Sequence, residues 1–518
     1  MNRRFGLQWA AGLMLCCGAA LATAQTVELD TPQGKLLGTA SEAVHSFKGI
    51  PFAEPPTGER RWQPPGPAPS WEGGREADSF GPNCIQSPYP ENSFFYRPAR
   101  ISSEDCLYLN VWTGGESGDD LPVMVWIHGG ALTRGSGAID AYDGHRLAEK
   151  DVVLVTINYR LGPLGYFAHP ELIAESENFA AGNYGILDQI QALNWVQDNI
   201  SAFGGDPDNV TIFGESAGAW SVHLLTASPL AAGLFDKVIA QSGARLDPRR
   251  ELDRQTAAGP SAASSGEQLA QALGADSLRE LRSMPAQALH EAAMQAGFST
   301  DGIVDGWVLP EQPYAQFVAG RQNPVPVLLG FNKDEGTTLG AAANAPDTAQ
   351  AYEERIRSQY GSLAEDFLEV YPADDPRQST LDAYRDMAFG WNMVTWANLN
   401  RFVDQPAWLY YFSHHPPGPS SDALGAYHAA EIPYVFNNAH LLQGGAREVD
   451  IELADLMSDY WVNFARSGNP NGDELPQWEP YSNAERHYMR FDGDATPGMD
   501  LLPGHWGLMD RIMDRRRQ

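Results

Sequence analysis

The sequence predicts an α/β fold: a central, mainly parallel, twisted sheet with helices on both faces. Three observations carry this. Strand-like and helix-like segments alternate along the chain, the order that crossover helices impose on a parallel sheet. The strand segments are short and nearly all apolar, as in Asp151 to Tyr159 with Val152, Val153, Leu154, Val155 and Ile157, the composition of strands buried on both faces. At residues 210–218 a β-branched and aromatic run, Val210-Thr211-Ile212-Phe213, passes through Gly-Glu-Ser-Ala-Gly straight into a helix-like stretch, Ala217 to Ala227.

Taken in order, residues 1–24 read as an export signal outside the fold. Arg3 and Arg4 start it, Ala10 to Leu21 is its apolar core, and Ala22-Thr23-Ala24 offers a cleavage site after Ala24. The segment is too short and wrongly flanked for a membrane span. A lipid anchor at Cys16 or Cys17 is the rival, but Met14 and Leu15 are not the small residues such processing needs. Residues 26–50 alternate as an antiparallel meander, and the proline-rich 49–69 is irregular. Leu107 to Trp112 and Val123 to Ile127 are the next strands, the second ending in His128-Gly129-Gly130-Ala131. Tyr184 to Ile200 carries Ile186, Ile190, Leu193, Val196 and Ile200 on one helical stripe and stops at Phe203-Gly204-Gly205. After the strand-to-helix junction come a strand at Lys237 to Gln241, strand character again at Pro324 to Phe331, and late strands at Trp408 to Ser413 and His487 to Phe491. A late helix spans Ile451 to Ala465. Ala, Ser, Gln and Glu dominate residues 243–300, which with 341–396 read as helical excursions from the sheet. The organisation expected is one domain over 25–518 with helical insertions near 244–300 and 341–400.

Composition narrows the partners. With 35 basic and 66 acidic residues the net charge is −31, or −33 once Arg3 and Arg4 leave with the signal. No basic run stands out, so neither nucleic acid nor a stable membrane association is expected. Past the signal only Cys84 and Cys106 remain, an even pair in an exported chain, and a disulfide is expected. Closing a loop of that length stabilises by about 3 kcal/mol.

The junction at 214–218 has the form of a nucleophile elbow, the signature of an α/β-hydrolase, with Ser216 at its tip and a helix N-terminus beneath. A serine hydroxyl needs a base to take its proton, and the base needs a third group to hold its tautomer. In chain order the acid and then the histidine should follow. His428 lies in Gly425-Ala426-Tyr427-His428-Ala429-Ala430-Glu431-Ile432-Pro433, a loop between a strand and later helices. Gly330-Phe331-Asn332-Lys333-Asp334-Glu335-Gly336 follows a strand and precedes it, with Asp334 and Glu335 both available. The amide after the nucleophile, on Ala217, supplies one oxyanion donor, and the glycine-rich turn at 128–131 stands where the others are needed. No ligand-spaced His/Cys cluster, Walker loop or dinucleotide fingerprint is present, so no metal and no cofactor is implied.

The sequence resembles the type-B carboxylesterases, the cholinesterase-like branch of the α/β-hydrolases. The resemblance runs over the whole mature chain, from Gly49-Ile50-Pro51-Phe52-Ala53-Glu54-Pro55-Pro56 through Ser103-Glu104-Asp105-Cys106-Leu107-Tyr108-Leu109-Asn110, far more specific than the elbow motif. It continues through Asn158-Tyr159-Arg160, Phe203-Gly204-Gly205-Asp206-Pro207, the elbow and Gln241-Ser242-Gly243. It implies Glu335 as the acid, His428 as the base, and the amides of Gly130, Ala131 and Ala217 as oxyanion donors. Cys84 and Cys106 match the family's first disulfide, and Glu215 and Ser242 match residues that steady the histidine and its surroundings. Two departures stand out. Ala131 replaces a glycine common in the oxyanion turn. The 84–106 loop carries Phe94, Phe95 and Tyr96 but no tryptophan to hold a quaternary ammonium, which argues against choline esters. Trp307 is bulky enough to narrow the acyl side or to serve as a core residue. The reading is a secreted or periplasmic serine carboxylesterase acting on small ester substrates. The alternatives are a lipase, amidase or carbamate hydrolase with the same triad, and a non-catalytic adhesion module. Natural substrate and oligomeric state are not specified.

Overall fold

The computed structural model describes residues 25–41, 43–91, 93–98 and 100–517. The export signal read over 1–24 lies outside the described residues. Twelve strands form the main path of one sheet: β1 (Gln25–Thr31), β2 (Gly34–Ser41), β3 (Val44–Pro51), β4 (Tyr108–Thr113), β5 (Leu121–Ile127), β6 (Val153–Ile157), β7 (Gly205–Glu215), β8 (Lys237–Gln241), β9 (Val327–Asn332), β10 (Ala407–Phe412), β11 (His487–Phe491) and β12 (Ala495–Met499). Their order in space is β1-β2-β3-β4-β6-β5-β7-β8-β9-β10-β11-β12, with the short strand Gly74–Glu76 beside β2. From β6 to β11 every neighbour is parallel; antiparallel pairs close both ends.

Side chains along a strand alternate between faces, and here the alternation divides the core in two. Val123, Val125 and Ile127 of β5, with Val153 and Val155 of β6, face one cluster that includes Ile186, Ile190, Leu193 and Val196 of α1 (Tyr184–Asn199). Val222 and Leu225 of α2 (Ala217–Ala227) join them. Met124, Trp126, Leu154 and Phe213 face the other, where Leu453, Met457, Trp461 and Phe464 of α6 (Glu448–Ser467) cover them. The apolar stripe read at 186–200 is therefore the face that meets the sheet. Helices Ala262–Ala272, Leu278–Ser283 and Ala286–Gln295 lie between β8 and β9, and α3 (Ala349–Tyr360), α4 (Pro376–Arg385) and α5 (Trp391–Leu399) lie between β9 and β10. Residues 386–390 join α4 to α5 as a π-turn. Two elements carry no strong sequence pattern and were not expected: strand β12, which holds a proline and a glycine, and α7 (His505–Arg517). No helix among the described residues is long and apolar enough to cross a membrane.

The winding changes direction at β5, because β6 lies on one side of it and β7 on the other. In open α/β sheets a crevice forms at such a switch, outside the carboxyl ends of the strands. The carboxyl ends of β5, β7, β8 and β9 lead directly into His128, Ser216, Ser242 and Lys333. All the candidate groups thus emerge at one edge.

Buried polar clamps hold this edge. Arg160, just past β6, donates from Nε and Nη2 to the two carboxylate oxygens of Asp188 on α1 (2.8 and 2.7 Å), and its own amide donates to Asp188 as well (2.9 Å). Both side chains are buried. Removing one member of such a pair strands a charge in a low-dielectric interior. Asp188→Ala is expected to lower unfolding stability by about 3–5 kcal/mol, read as the urea midpoint by circular dichroism; a midpoint equal to that of the unaltered chain would refute the assignment.

Candidate active site

The site is built around one backbone conformation. Ser216 has φ 57° and ψ −120°, a region non-glycine residues enter only under constraint, at a cost of order 1–3 kcal/mol. The constraint is visible on both sides. Strand β7 pairs up to Glu215, and the Ser216 amide then donates to the Gln241 carbonyl at the end of β8 (2.9 Å). Helix α2 begins at the next residue, packed so closely over β5 that a Cβ on Gly214 or Gly218 would collide with the Ile127 carbonyl oxygen. The two glycines of the motif are thus required by approach of backbone to backbone.

The expected acid and base meet. His428 Nδ1 lies 2.6 Å from Glu335 Oε2, and Glu335 Oε1 accepts the Asn332 amide (2.9 Å). The Glu335 side chain is fully buried and that of His428 is 6% exposed. Asp334 points elsewhere: its Oδ2 accepts the Ala426 amide (2.9 Å), and its own amide donates to the Ala426 carbonyl (2.9 Å). Glu215 Oε1 comes within 3.1 Å of His428 Nε2 without hydrogen-bond alignment and has no hydrogen-bond partner among the described residues. The imidazole's hydrogen bond runs to Glu335, and among the described residues none runs to Ser216. Contacts between nucleophile and base commonly tighten only when substrate binds. The Ser242 hydroxyl is buried without a partner among the described residues, so it makes no hydrogen bond to the histidine.

One group was missed by sequence reasoning. Glu431, three residues after His428, is fully buried; Gln241 Nε2 donates to its Oε1 (2.9 Å) and Asn332 Nδ2 to its Oε2 (2.6 Å). Its stretch was in view, but a glutamate opening the short helix Ile432–Val435 carries no mark of burial. Three buried carboxylates therefore surround one imidazole. Burial acts to lower the His428 pKa, but Glu215, Glu335 and Glu431 together raise it to about 9. Burial pushes the Glu215 carboxyl well above the usual range, against the attraction of His428, with Glu431 and Glu335 adding to the rise.

The glycine-rich turn at 128–131 follows β5. Gly130 (φ 108°), Ala131 (φ 56°) and Leu132 (φ 58°) are successive left-handed residues, so Ala131 takes up the conformation that a glycine would adopt more cheaply. Among the described residues the amides of Gly130 and Ala131 donate to no protein acceptor, and Ala217, first in its helix, has no intrahelical acceptor for its amide. His128 braces the turn: its Nδ1 lies 2.8 Å from the Gly129 carbonyl, its ring stacks on Tyr159, and burial lowers its pKa to about 4, so it stays neutral. Cys84 and Cys106 form the expected disulfide. Gln86, two residues on, ties that loop to the turn through both Gly135 backbone groups (2.8 and 2.9 Å). Within the loop Phe94 packs edge-on to Tyr427, next to His428, with ring centroids 4.7 Å apart. Trp307 instead lines a separate cavity of about 290 Å³ with Trp62 and Tyr184.

A constrained serine, a buried Glu–His pair and unengaged amides at one sheet edge suit attack on a carbonyl carbon. Known proteins agree. A family model described as "Carboxylesterase family" matches residues 25–501. The para-nitrobenzyl esterase of Bacillus subtilis (strain 168) is 37% identical over 485 residues, spanning 90% of this chain and 95% of its own length. The fumonisin B1 esterase of Sphingopyxis macrogoltabida is also 37% identical, over 91% of this chain and 87% of its own. Among solved structures, a Geobacillus stearothermophilus carboxylesterase superposes with a TM-score of 0.81 at 35% identity, covering 93% of this chain and 99% of that one. The chain therefore belongs to the carboxylesterase family, the type-B, cholinesterase-like branch of the α/β-hydrolases, and is a carboxylic ester hydrolase.

Proposed function

We propose that the chain hydrolyses small carboxylic esters through an acyl-enzyme on Ser216, with His428 as general base and acid and Glu335 as its orienting partner. The observation that carries this is the 2.6 Å contact between Glu335 Oε2 and His428 Nδ1 inside a buried pocket. That bond holds the ring in the tautomer whose Nε2 is a base and stabilises the imidazolium once it forms. Ser216 Oγ attacks the ester carbonyl as His428 Nε2 takes its proton. The amides of Gly130, Ala131 and Ala217 receive the developing oxyanion. His428 returns the proton to the leaving alcohol, and water repeats the cycle on the acyl-enzyme. In this reading Glu215 and Glu431 add negative potential that favours the imidazolium. The whole mature chain, 25–518, acts as one catalytic domain exported by the signal over 1–24, to the periplasm or beyond.

Ser216→Ala is expected to lose at least about a thousandfold in kcat on 4-nitrophenyl butyrate; near-normal turnover would rule out the mechanism. Glu335→Gln should be similarly crippled, because a neutral amide cannot stabilise the imidazolium, whereas Asp334→Asn should stay within about tenfold. The reverse pattern would reassign the acid.

The pH dependence follows from the carboxylates. Only neutral His428 is a base, so kcat/KM should rise with pH through its pKa, and a pKa of about 9 places that rise above neutrality. Glu215→Gln removes a negative charge that favours the imidazolium, so its rising limb should shift to lower pH by at least about half a unit. A limb that stays in place in the kcat/KM profile would mean Glu215 is uncharged throughout.

A further inference from the structure

The amides of Gly130 and Ala131 serve an oxyanion only if the planes of their peptides are fixed, and both planes are gripped from the carbonyl side. In a planar peptide the carbonyl and the next residue's N–H turn together. The Gly129 carbonyl, which shares a plane with the Gly130 amide, lies 2.8 Å from His128 Nδ1. The Gly130 carbonyl, which shares a plane with the Ala131 amide, accepts the amides of Thr133 and Arg134 (both 3.1 Å) and the Thr133 hydroxyl (3.2 Å). Residues 130–132 are left-handed in succession, and backbone of that kind persists only where its surroundings over-determine it.

The surroundings are the disulfide loop, and its contact converges on Gly135. Gly135 (φ 112°) packs so tightly against the turn that a Cβ there would collide with both His128 Nδ1 and the Gly129 carbonyl oxygen. Its own backbone is held by one side chain. Gln86 Nε2 donates to the Gly135 carbonyl (2.8 Å), and Gln86 Oε1 accepts the Gly135 amide (2.9 Å). Among the described residues neither backbone group has another partner. The same Nε2 also donates to the carbonyl of Cys84 (3.0 Å), which is bonded to Cys106, so the side chain is anchored at the disulfide itself. Asn158, just past β6, adds a second tie. Its Nδ2 donates to the carbonyls of Pro82 and Cys106 (both 3.1 Å), while its Oδ1 accepts the Gly137 amide (2.9 Å). Both ends of the disulfide loop are thus bonded to the segment that closes the turn.

We propose that Gln86 is a positioning residue for ester hydrolysis: it transmits the rigidity of the Cys84–Cys106 loop through Gly135 to the Gly129–Gly130 peptide, and so keeps the Gly130 and Ala131 amides aimed at the developing oxyanion. The proposal rests on the serine and oxyanion reading above and adds to it a residue that touches neither the substrate nor the reacting atoms. Its signature is a loss confined to the tetrahedral state, because the planar ester engages these donors less than the oxyanion does.

The test uses Gln86→Met, which keeps the length of the side chain and removes both bonds to Gly135; the residue is half-buried, so the core stays intact. One measurement is kcat and KM on 4-nitrophenyl butyrate. The other is the pair of inhibition constants for 1,1,1-trifluorooctan-2-one and 1,1,1-trifluorooctan-2-ol. The ketone accepts the Ser216 oxygen at its carbonyl carbon while the serine proton passes to His428, which leaves the ketone oxygen as the anion. The alcohol has the same chain and forms no adduct. Inhibition constants do not depend on how much of a preparation is folded. In Gln86→Met, kcat should fall at least about tenfold, a part of the hundredfold or more that losing a whole oxyanion donor costs. KM should stay within about threefold, the ketone constant should rise at least about tenfold, and the alcohol constant should stay within about threefold. An unchanged ketone constant, or an equal rise for ketone and alcohol, would overturn the proposal and leave the serine reading standing. If the unaltered enzyme binds the ketone no more tightly than the alcohol, the serine and oxyanion reading fails and the proposal falls with it.

Discussion

The structure depends on a backbone held where a serine does not rest by itself. Ser216 occupies φ 57° and ψ −120° because strand β7 pairs to the residue before it and helix α2 starts at the residue after. The parallel neighbours β5 and β8 fix the strand, and the Gln241 carbonyl holds the Ser216 amide. A strain of order 1–3 kcal/mol is small against a sheet of this size, and the sheet over-determines the bend. Relaxing the bend would swing the hydroxyl away from the edge and move the Ala217 amide with it. The Ser216 hydroxyl and the Ala217 amide are thus placed by one constraint.

The electrostatics work in the same enclosed space. A buried imidazole would by itself resist protonation; three carboxylates within its reach reverse that preference. Each is held differently. Glu335 hydrogen-bonds the ring, Glu431 is satisfied by Gln241 and Asn332, and Glu215 faces Nε2 without an aligned bond. Glu215 is the one whose burial is least compensated, and burial accordingly pushes its carboxyl well above the usual range. The arrangement favours the imidazolium without committing Nε2 to a second strong hydrogen bond.

Much of the fold and part of the site were legible in the sequence, for physical reasons that differ by residue. The apolar runs of β5 to β10 and the stripe of α1 leave a periodic trace because burial acts on every turn or pleat. Ser216 was legible because its bend needs glycine at two fixed offsets. Strand β12 was not, since an edge strand answers to no core and here carries Pro497 and Gly498. The choice between Asp334 and Glu335 came only from family resemblance: adjacent acids on a loop have no periodicity to separate them. Glu431 and its partners Gln241 and Asn332 are local in space but scattered in the chain, and burial of a single charged residue leaves no pattern.

The pair Asp334–Glu335 separates in three dimensions. Glu335 opens a short 3₁₀ turn, and the two side chains diverge there. Asp334 makes a two-bond bridge to Ala426, amide to carbonyl and carboxylate to amide, which pins the loop carrying His428 two residues downstream. Thr337 adds a bond from its hydroxyl to the Leu424 carbonyl in the same loop (2.9 Å). One carboxylate therefore sets where the histidine loop lies, while its neighbour sets how the ring is turned. Because the first contact is to backbone, an amide side chain can still accept from Ala426. The second, in the proposed mechanism, is a charge opposite an imidazolium, and no neutral side chain replaces that. Two acids side by side thus make different contacts, and the geometry of the turn, rather than their chemistry, sets which of them meets the imidazole.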